Sequence, residues 1–318
     1  MNSTSTNAAT YSCRSIPSLA LRLVNFGSGR SWHPRNFIVS DGNPVHCADG
    51  SSTQPEGSRG EDLGVAGKVV DWARVRRTDQ GDIVSKLSVI IPTLNEERHV
   101  GALLSDVASQ TRNPYEVLVV DASSTDGTVS VVRRFPSVKL LAGTPPVACG
   151  RNLGGRSAAG NVLIFLDADV RLPKNFFERF LEEFEGRRLD VACPLYVPYR
   201  STPAVEGFHA LFNLVMKAVQ GISPSGAGHC IAVRGDLFRE SSGFDPGLKF
   251  DDIELIRRLS KGRRFGIVEE RVFVSDRRYR EQGVLRMIPR YSLMSLFFAL
   301  GKFAWANRID YEFGKHAR

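Results

Sequence analysis

Short apolar runs alternate with segments of helical spacing between residues 86 and 184, and few folds accommodate this alternation. The run Leu87–Pro92 is rich in β-branched residues and ends at a proline, which is typical of a buried strand. The order of elements predicts an α/β protein with a Rossmann-like, mostly parallel sheet and flanking helices. The predicted strands are Leu87–Pro92, Tyr115–Val120, Val138–Leu141 and Val162–Leu166, and the predicted helices are Glu96–Gln110, Thr128–Arg134, Cys149–Ala159 and Pro173–Phe184.

Two of the predicted strands end directly in carboxylates, at Asp121 and Asp167. In open α/β sheets, ligands bind beyond the carboxyl ends of the strands, so a site is expected at this edge. Asp167 and Asp169 belong to one turn, where both carboxylates can face one Mg²⁺ or Mn²⁺ ion. The alternative is a pair of turn aspartates, which are common in loops that bind no ion.

The charge and the cysteine content of the chain indicate its partners and its cellular location. The chain of 318 residues has a formal net charge of +8, and residues 263–318 contain 12 Lys/Arg but 6 Asp/Glu. A basic surface suits phosphates, nucleic acid or an anionic membrane. No helix-turn-helix, zinc-finger or RNP-like signature accompanies it, so nucleic acid is not a predicted partner. Five cysteines without a C-x-x-C pair predict reduced thiols and a cytoplasmic location.

The composition divides the chain into three parts. Residues 1–80 are rich in Ser, Thr, Asn and Gly, which is typical of a targeting-like segment or a disordered tail, and an over-extended reading frame would give the same composition. Residues 86–280 hold the alternating pattern. Residues 281–318 are predicted to form a basic amphipathic helix, and no run reaches the roughly 20 apolar residues that a membrane-spanning helix needs.

Four blocks of sequence, in this order, resemble glycosyltransferase family 2. They are Ser88–Glu97, Val119–Thr128, Gly150–Gly154 through Asp169, and Gly243–Asp245 followed by Asp251–Leu255. The resemblance covers about residues 86–280 and implies a GT-A fold. It also implies inverting, metal-dependent transfer of a sugar from a nucleotide diphosphate-sugar, either a UDP- or a GDP-sugar, with Mg²⁺ or Mn²⁺ as cofactor. The Gln-x-x-Arg-Trp signature of processive relatives is absent, which favours transfer of a single sugar.

The resemblance further implies roles on the donor side. Asp121 would accept a hydrogen bond from an imide-type N–H of the base, Arg151 would hold a phosphate oxygen, and Asp169 and Asp167 would ligate the metal. In the alternative interpretations, Asp121 is a helix or turn cap, Arg151 a surface arginine and Arg277 part of a solvated basic loop. The remaining implied donor contacts are Pro92, Leu94 and Glu96 around the nucleoside, Ser123 beside the base, Asp167 at the ribose, and Arg277 and Arg278 over the phosphates.

The acceptor side is predicted around Asp251 and Asp252. Inversion by one displacement needs a carboxylate that removes the proton of the acceptor hydroxyl, and Asp252 is the candidate base. Asp251 stands where the family usually has glutamate; it is the second candidate, and it would raise the pKa of Asp252 by like-charge repulsion. Both acids also suit the start of a helix over Ile253–Leu259. His229, in the Gly-rich segment Gly226–Cys230, is a metal ligand, a substrate contact or a buried histidine.

Two apolar segments give information on the kind of acceptor. Phe208–Gly221 and Val284–Ala306 are punctuated by basic residues, a pattern typical of helices that lie on a membrane surface. A lipid-linked acceptor and a peripheral position at the cytoplasmic membrane face would follow, whereas packing against the core or a dimer contact is the alternative. Two other functions compete. One is a sugar nucleotidyltransferase, although the acidic loop Thr93–Glu97 does not suit a triphosphate; the other is a non-catalytic sugar-nucleotide-binding protein.

Overall fold

The computed structural model of the protein describes residues 85–199 and 201–283, together with residues 287, 289–293 and 297. The predicted N-terminal extension of residues 1–80 lies outside this range. In the predicted C-terminal segment beyond residue 283, residues 287, 289–293 and 297 are described and helical, and the rest of the predicted helix also lies outside. No helix within the described ranges is long and apolar enough to cross a bilayer.

Within the described residues, the predicted alternation is present and further strands follow it. The strands are β1 (Leu87–Thr93), β2 (Glu116–Asp121), β3 (Val138–Ala142), β4 (Val162–Leu166), β5 (Val191–Tyr199), β6 (Cys230–Arg234) and β7 (Phe265–Ser275). The helices are α1 (Val100–Ala108), α2 (Thr128–Val132), α3 (Val147–Ser157), α4 (Phe176–Gly186), α5 (Pro203–Val219), α6 (Gly235–Glu240), α7 (Asp251–Leu259) and α8 (Arg277–Gln282). The predicted α/β class is confirmed.

All of these strands join one sheet in the order β3-β2-β1-β4-β6-β5-β7. β1 pairs in parallel with β2 and β4, β2 with β3, and β5 with β7, which confirms the mostly parallel sheet. β6 is the exception, because it runs antiparallel to both of its neighbours, β4 and β5. The start of β6 therefore lies at the same edge of the sheet as the carboxyl end of β4.

The hydrophobic core lies on both faces of the sheet and packs tightly against its central strands. Every residue of β1 and of β4 is buried, as expected for central strands covered by helices on both sides. Helix α4 adds an apolar stripe of Phe176, Phe177, Phe180 and Phe184, each fully buried. Burial of one such side chain stabilises the fold by about 1.5–3 kcal/mol.

Helix α3 lies very close to the sheet because Gly154 faces Ile90. A Cβ atom on Gly154 would collide with the Ile90 side chain, so only glycine allows this approach. Arg151 is three residues before Gly154 and therefore lies on nearly the same side of the helix. The close approach draws the Arg151 side chain inward, toward the carboxyl edge of the sheet.

Four predicted helix starts are wrong by two to four residues. Helix α3 begins at Val147 rather than at Cys149, and helix α4 begins at Phe176 rather than at Pro173. Helix α1 begins at Val100 rather than at Glu96, because Asn95 has a positive φ and the next residues form a turn. Helix α7 begins at Asp251 rather than at Ile253. Both acidic residues of the acceptor-side block thus lie in the first turn of a helix, where the positive end of the helix dipole stabilises negative charge.

Candidate functional site

The loops after β1 and β2 form the predicted nucleoside end of the site. Asp121 is buried, and its carboxylate accepts hydrogen bonds from Thr93 Oγ1 at 3.1 Å, Ser124 Oγ at 2.5 Å and Ser124 N at 2.9 Å. Asp121 is therefore a turn cap, as one interpretation predicted, and the same contacts hold its carboxylate at the sheet edge. Its contact with a base stays a prediction. Pro92 is buried in β1, and Leu94 is half-buried in the loop that follows.

Two non-glycine residues in these loops have left-handed backbones. The φ angle is 56° at Asn95 and 67° at Ser123. The loops are also tied together, since Asn95 N donates to Ser124 Oγ at 2.8 Å and Thr125 N donates to Asn95 Oδ1 at 2.8 Å. Asparagine tolerates this conformation well, whereas serine is less suited to it. Strain of this kind is common at ligand-binding loops, and here it coincides with the predicted nucleoside end.

Replacing the exposed Ser123 with glycine is expected to raise the free energy of unfolding by about 0.5–1 kcal/mol, because glycine adopts a positive φ without steric cost. Ser123→Val is expected to lower it by about 1–2 kcal/mol. Urea unfolding measures both changes. Ser130→Gly, at an exposed position inside α2, is the control and should destabilise the protein. Destabilisation by Ser123→Gly would contradict the strain at this loop.

The D-x-D carboxylates and His229 meet because β4 and β6 are antiparallel neighbours. Leu166 pairs with Cys230, so Asp167, which follows β4, lies beside His229, which precedes β6. Asp167 Oδ2 is 3.1 Å from His229 Nδ1, and ligand atoms of Asp167, Asp169 and His229 all lie within 4.8 Å of one another. These residues fit a divalent cation: the carboxylates suit Mg²⁺ and Mn²⁺, and the imidazole favours a transition metal such as Mn²⁺.

The side chain of Glu96, in the loop after β1, lies near the carboxylates of Asp167 and Asp169. Burial raises the pKa of Glu96 to about 8, and the nearby Asp169 carboxylate adds to the rise, whereas Arg277 opposes it. Arg277 Nη2 lies 3.8 Å from Asp169 Oδ2, and Arg277 Nη1 lies 3.3 Å from His99 Nε2. Sequence reasoning missed His99 and placed Glu96 only beside the nucleoside. The side chain of Arg278 lies outside the described part of the protein.

Arg151 links the D-x-D pair to the acids of α7. Its side chain is 5% exposed; Nη2 lies 2.8 Å from Asp167 Oδ1, and Nη1 lies 3.2 Å from Asp251 Oδ2. Nη2 also donates to the Gly228 carbonyl at 3.3 Å, and the guanidinium lies 5.2 Å from the centre of the Phe244 ring. The surface-arginine interpretation is therefore wrong, because α3 buries this side chain. Binding of a phosphate oxygen by Arg151 stays a prediction.

The acids in this cluster differ in how tightly they hold a proton. Burial alone would raise the pKa of Asp167, but Arg151 and His229 hold that pKa well below its usual range. Burial raises the pKa of Asp251, and the neighbouring Asp252 adds to the rise, while Arg151 opposes it. Asp167 therefore stays ionised, and the acids at the start of α7 bind a proton more tightly than ordinary aspartates do.

Asp252 is the more accessible of the two acids. Asp251 is 4% exposed and bound to Arg151, whereas Asp252 is half-buried. Asp252 Oδ2 accepts a hydrogen bond from Gly228 N at 2.6 Å, and Oδ1 accepts one from Ile253 N at 2.9 Å. A Cβ on Gly228 would lie 2.8 Å from Arg151 Nη2 and 3.0 Å from Asp252 Oδ2, so glycine lets this loop approach both side chains. The accessibility favours Asp252 over Asp251 as a base.

Comparison with known proteins relates part of this arrangement to a family. Residues 88–240 match the family model described as Glycosyl transferase family 2. The glycosyltransferase AglE of Haloferax volcanii is 32% identical over 142 residues, which is 41% of this chain and 46% of AglE. The 4,4'-diaponeurosporenoate glycosyltransferase of Staphylococcus aureus is 32% identical over 137 residues, which is 41% of this chain and 36% of that protein. The chain thus spans less than half the length of either relative.

A solved structure shares the fold. The mannosyltransferase PcManGT of Pyrobaculum calidifontis, solved in complex with GDP-Man and Mn²⁺, matches with a TM-score of 0.56 and 22% identity, over 73% of this chain and 69% of that one. The family match covers three of the four sequence blocks named above, and the fold match agrees with the observed sheet. Residues 88–240 therefore form a glycosyltransferase family 2 domain within a GT-A-type fold.

Proposed function

We propose that this protein transfers a single sugar from a nucleoside diphosphate-sugar to an acceptor, with inversion at the anomeric carbon. One cluster at the carboxyl end of β4 carries the proposal. In it, the candidate cation ligands Asp167, Asp169 and His229 lie together, and Asp167 pairs with Arg151. Arg151 also donates to the carbonyl of Gly228, whose N–H donates to the candidate base Asp252. The family match of residues 88–240 supports sugar transfer as the reaction class.

The donor would lie along the carboxyl ends of β1, β2 and β4. Pro92 and Leu94 would border the nucleoside, and Ser123 would lie beside the base. Asp121 would accept the imide-type N–H that uracil and guanine both carry. UDP- and GDP-sugars are therefore the donor classes, because this contact does not distinguish the two bases.

A divalent cation would be held by Asp169, Asp167 and His229. When bound, the cation supplies positive charge against the charge that develops on the leaving diphosphate. Arg277, whose guanidinium lies 3.8 Å from Asp169, and Arg278 would add positive charge over the same phosphates. The cation is Mg²⁺ or Mn²⁺, and the imidazole of His229 favours Mn²⁺.

Asp252 would act as the general base. Its carboxylate takes the proton of the acceptor hydroxyl while the hydroxyl oxygen bonds to the anomeric carbon. The bond from that carbon to the diphosphate oxygen breaks on the opposite face, so a single displacement inverts the carbon. Burial raises the pKa of Asp252, which makes its carboxylate a stronger base than an ordinary aspartate. Arg151 would act as a positioning residue, because its guanidinium pairs with both Asp167 and Asp251.

The acceptor would be a hydroxyl group or a lipid phosphate. A hydroxyl acceptor needs the base, whereas a phosphate is already ionised at neutral pH and attacks without one. A lipid-linked acceptor would place the protein at the cytoplasmic face of a membrane as a peripheral enzyme. The exposed apolar side chains of α5, a helix that leads into the loop of His229, support this placement.

Release of nucleoside diphosphate by the purified chain tests the proposed function. A panel of UDP-, GDP- and dTDP-sugars is expected to give release with one donor, and GDP-Man with Mn²⁺ comes first because PcManGT was solved with both. EDTA and Asp169→Asn are each expected to lower release by about a hundredfold or more. Asp236→Asn, at an exposed position in α6, is the control and should leave the rate unchanged.

The same assay separates the competing functions. Nucleotide binding without turnover of any donor would identify a sugar-nucleotide-binding protein. Release of pyrophosphate from a nucleoside triphosphate and a sugar phosphate would identify a nucleotidyltransferase. The anomeric proton signal of the product in NMR tests the stereochemistry, and retention of the donor's configuration would contradict the single displacement.

A further inference from the structure

Helix α5 has an apolar face that the core does not use. Its inner face is buried through Val205 and Met216, and Phe208 and Phe212 pack against the neighbouring apolar clusters. The large apolar side chains on the outer face and just beyond the helix end are Leu211, 59% exposed, Leu214, 65% exposed, Val215, 49% exposed, and Ile222, 92% exposed. These four residues are called the outer face of α5 below.

The outer face belongs to a longer exposed stripe. Ala204, Gly207, Ala210 and Ala218 are exposed along it, so small residues fill the space between the large ones. At a rise of 1.5 Å per residue, the stripe is about 25 Å long. Single exposed apolar side chains are common on soluble proteins, but a contiguous row of this length marks an interaction surface.

A basic chain segment starts beside this surface. Lys217, in the last turn of α5, pairs with Glu269 Oε1 at 2.5 Å and is therefore neutralised. The C-terminal segment begins next to the same helix, because the Tyr291 ring stacks against Phe208 with 6.2 Å between ring centres. In sequence, residues 284–318 contain 6 Lys/Arg but 2 Asp/Glu, and the whole chain has a net charge of +8. An apolar helix face next to the start of a basic segment complements an anionic bilayer, whose acyl region takes the apolar side chains and whose headgroups attract the cations.

Hydrogen bonds connect helix α5, and with it the outer face, to the acceptor side of the site. On the inner face of α5, Asn213 Oδ1 accepts from Tyr196 N at 3.1 Å, and Asn213 Nδ2 donates to Tyr196 O at 2.9 Å. The Tyr196 hydroxyl in turn donates to the Ala227 carbonyl at 2.9 Å and accepts from Ala227 N at 3.0 Å. Ala227 lies two residues before His229. These contacts hold α5 in a constant position relative to the loop of His229 and Gly228.

We propose that the outer face of α5 docks on an anionic lipid bilayer and presents the site to an acceptor carried in that bilayer. The helix would lie in the membrane plane, with Leu211 and Leu214 at the boundary between headgroups and acyl chains. The acceptor's lipid would remain in the bilayer while its polar group reaches Asp252. The nature of the acceptor rests on the proposed function, whereas the docking itself does not.

Vesicle flotation of the full chain tests the docking. At low salt, vesicles of phosphatidylcholine with phosphatidylglycerol are expected to bind the protein, and pure phosphatidylcholine vesicles are expected to bind less of it. The double variant Leu211→Glu/Leu214→Glu is expected to lower the partition coefficient by about tenfold or more, because two leucines lose their burial. Tyr115→Glu, an exposed apolar residue at the amino end of β2, is the matched control and should bind as the wild type does.

Two results would overturn the docking. One is wild-type protein that does not float with anionic vesicles, or a double variant that floats equally well. The other is a wild-type protein that is a dimer in sedimentation equilibrium while the double variant is a monomer, because the outer face of α5 would then join two copies of this chain. Calorimetry with GDP, UDP and Mn²⁺ keeps the two proposals apart: failed docking leaves nucleotide binding unchanged, and a failed transferase assay leaves flotation unchanged.

Discussion

Asp252→Asn is expected to lower the rate of sugar transfer to a hydroxyl acceptor by about a thousandfold, while nucleotide binding persists. General-base catalysis contributes roughly 10²–10⁴ in rate, and an asparagine amide takes no proton from a hydroxyl. The variant keeps the size of the side chain and an oxygen for the hydrogen bond from Gly228 N, so the fold is expected to persist. Steady-state transfer rates measure the loss, and calorimetry with the nucleotide measures binding.

The pH profile gives a second readout of the same role. A base works only when deprotonated, and burial raises the pKa of Asp252, so kcat/KM is expected to fall with decreasing pH at a higher pH than an ordinary aspartate would give. The residual activity of Asp252→Asn should lack this fall. Asp245→Asn, an exposed acid of the same sequence block, is the control and should match the wild type. Undiminished transfer to a hydroxyl by Asp252→Asn would remove Asp252 from the mechanism.

Arg151→Met is expected to lower the free energy of unfolding by about 3–5 kcal/mol, because removal of one partner leaves buried charge without compensation. Asp251 is 6% exposed at its side chain, and Asp167 is 27% exposed, so water replaces little of the lost interaction. For a domain of this size, the change corresponds to a fall in Tm of about 10 °C. Urea unfolding measures the free energy, and thermal unfolding followed by circular dichroism measures Tm.

Arg156→Met is the matched control, since Arg156 lies on the same helix but is exposed and donates only to the carbonyls of Ser241 and Ser242. Its effect on unfolding should stay below about 1 kcal/mol. The double variant Arg151→Met/Asp251→Asn should recover part of the lost stability, because one of the two unpaired charges is gone. Equal effects of Arg151→Met and Arg156→Met would show that the buried bridge does not stabilise the fold.

The strands that could be predicted from the sequence are those without interruption. β1 to β4 are runs of mostly apolar residues that end near a proline, an aspartate or a turn, and their predicted bounds agree with the structure to within one or two residues. β5 contains Pro194 and Pro198, and its pairing with β7 shifts register between Cys193 and Leu195. Proline donates no hydrogen bond to a neighbouring strand, so a segment with two prolines does not show the uninterrupted apolar run that is typical of a strand.

The site could be predicted where its residues are neighbours in the chain. Asp167 and Asp169 form a motif by themselves, and so do Asp251 and Asp252. The ion pair between Arg151 and Asp251 joins residues that are 100 positions apart, and no local sequence pattern indicates it. The burial of Arg151 could not be predicted either, because it depends on a close approach of α3 to the sheet that only Gly154 permits.

The antiparallel course of β6 separates two properties of this protein. Asp167 and His229 are 62 residues apart, yet the pairing of β4 with β6 brings them together. The outer face of α5 belongs to the intervening chain and is exposed, so its composition can change without moving either residue. Under the proposed function, substitutions on this face would change the contact with the acceptor while the residues proposed to hold the cation stay in place, as long as Leu166 remains opposite Cys230.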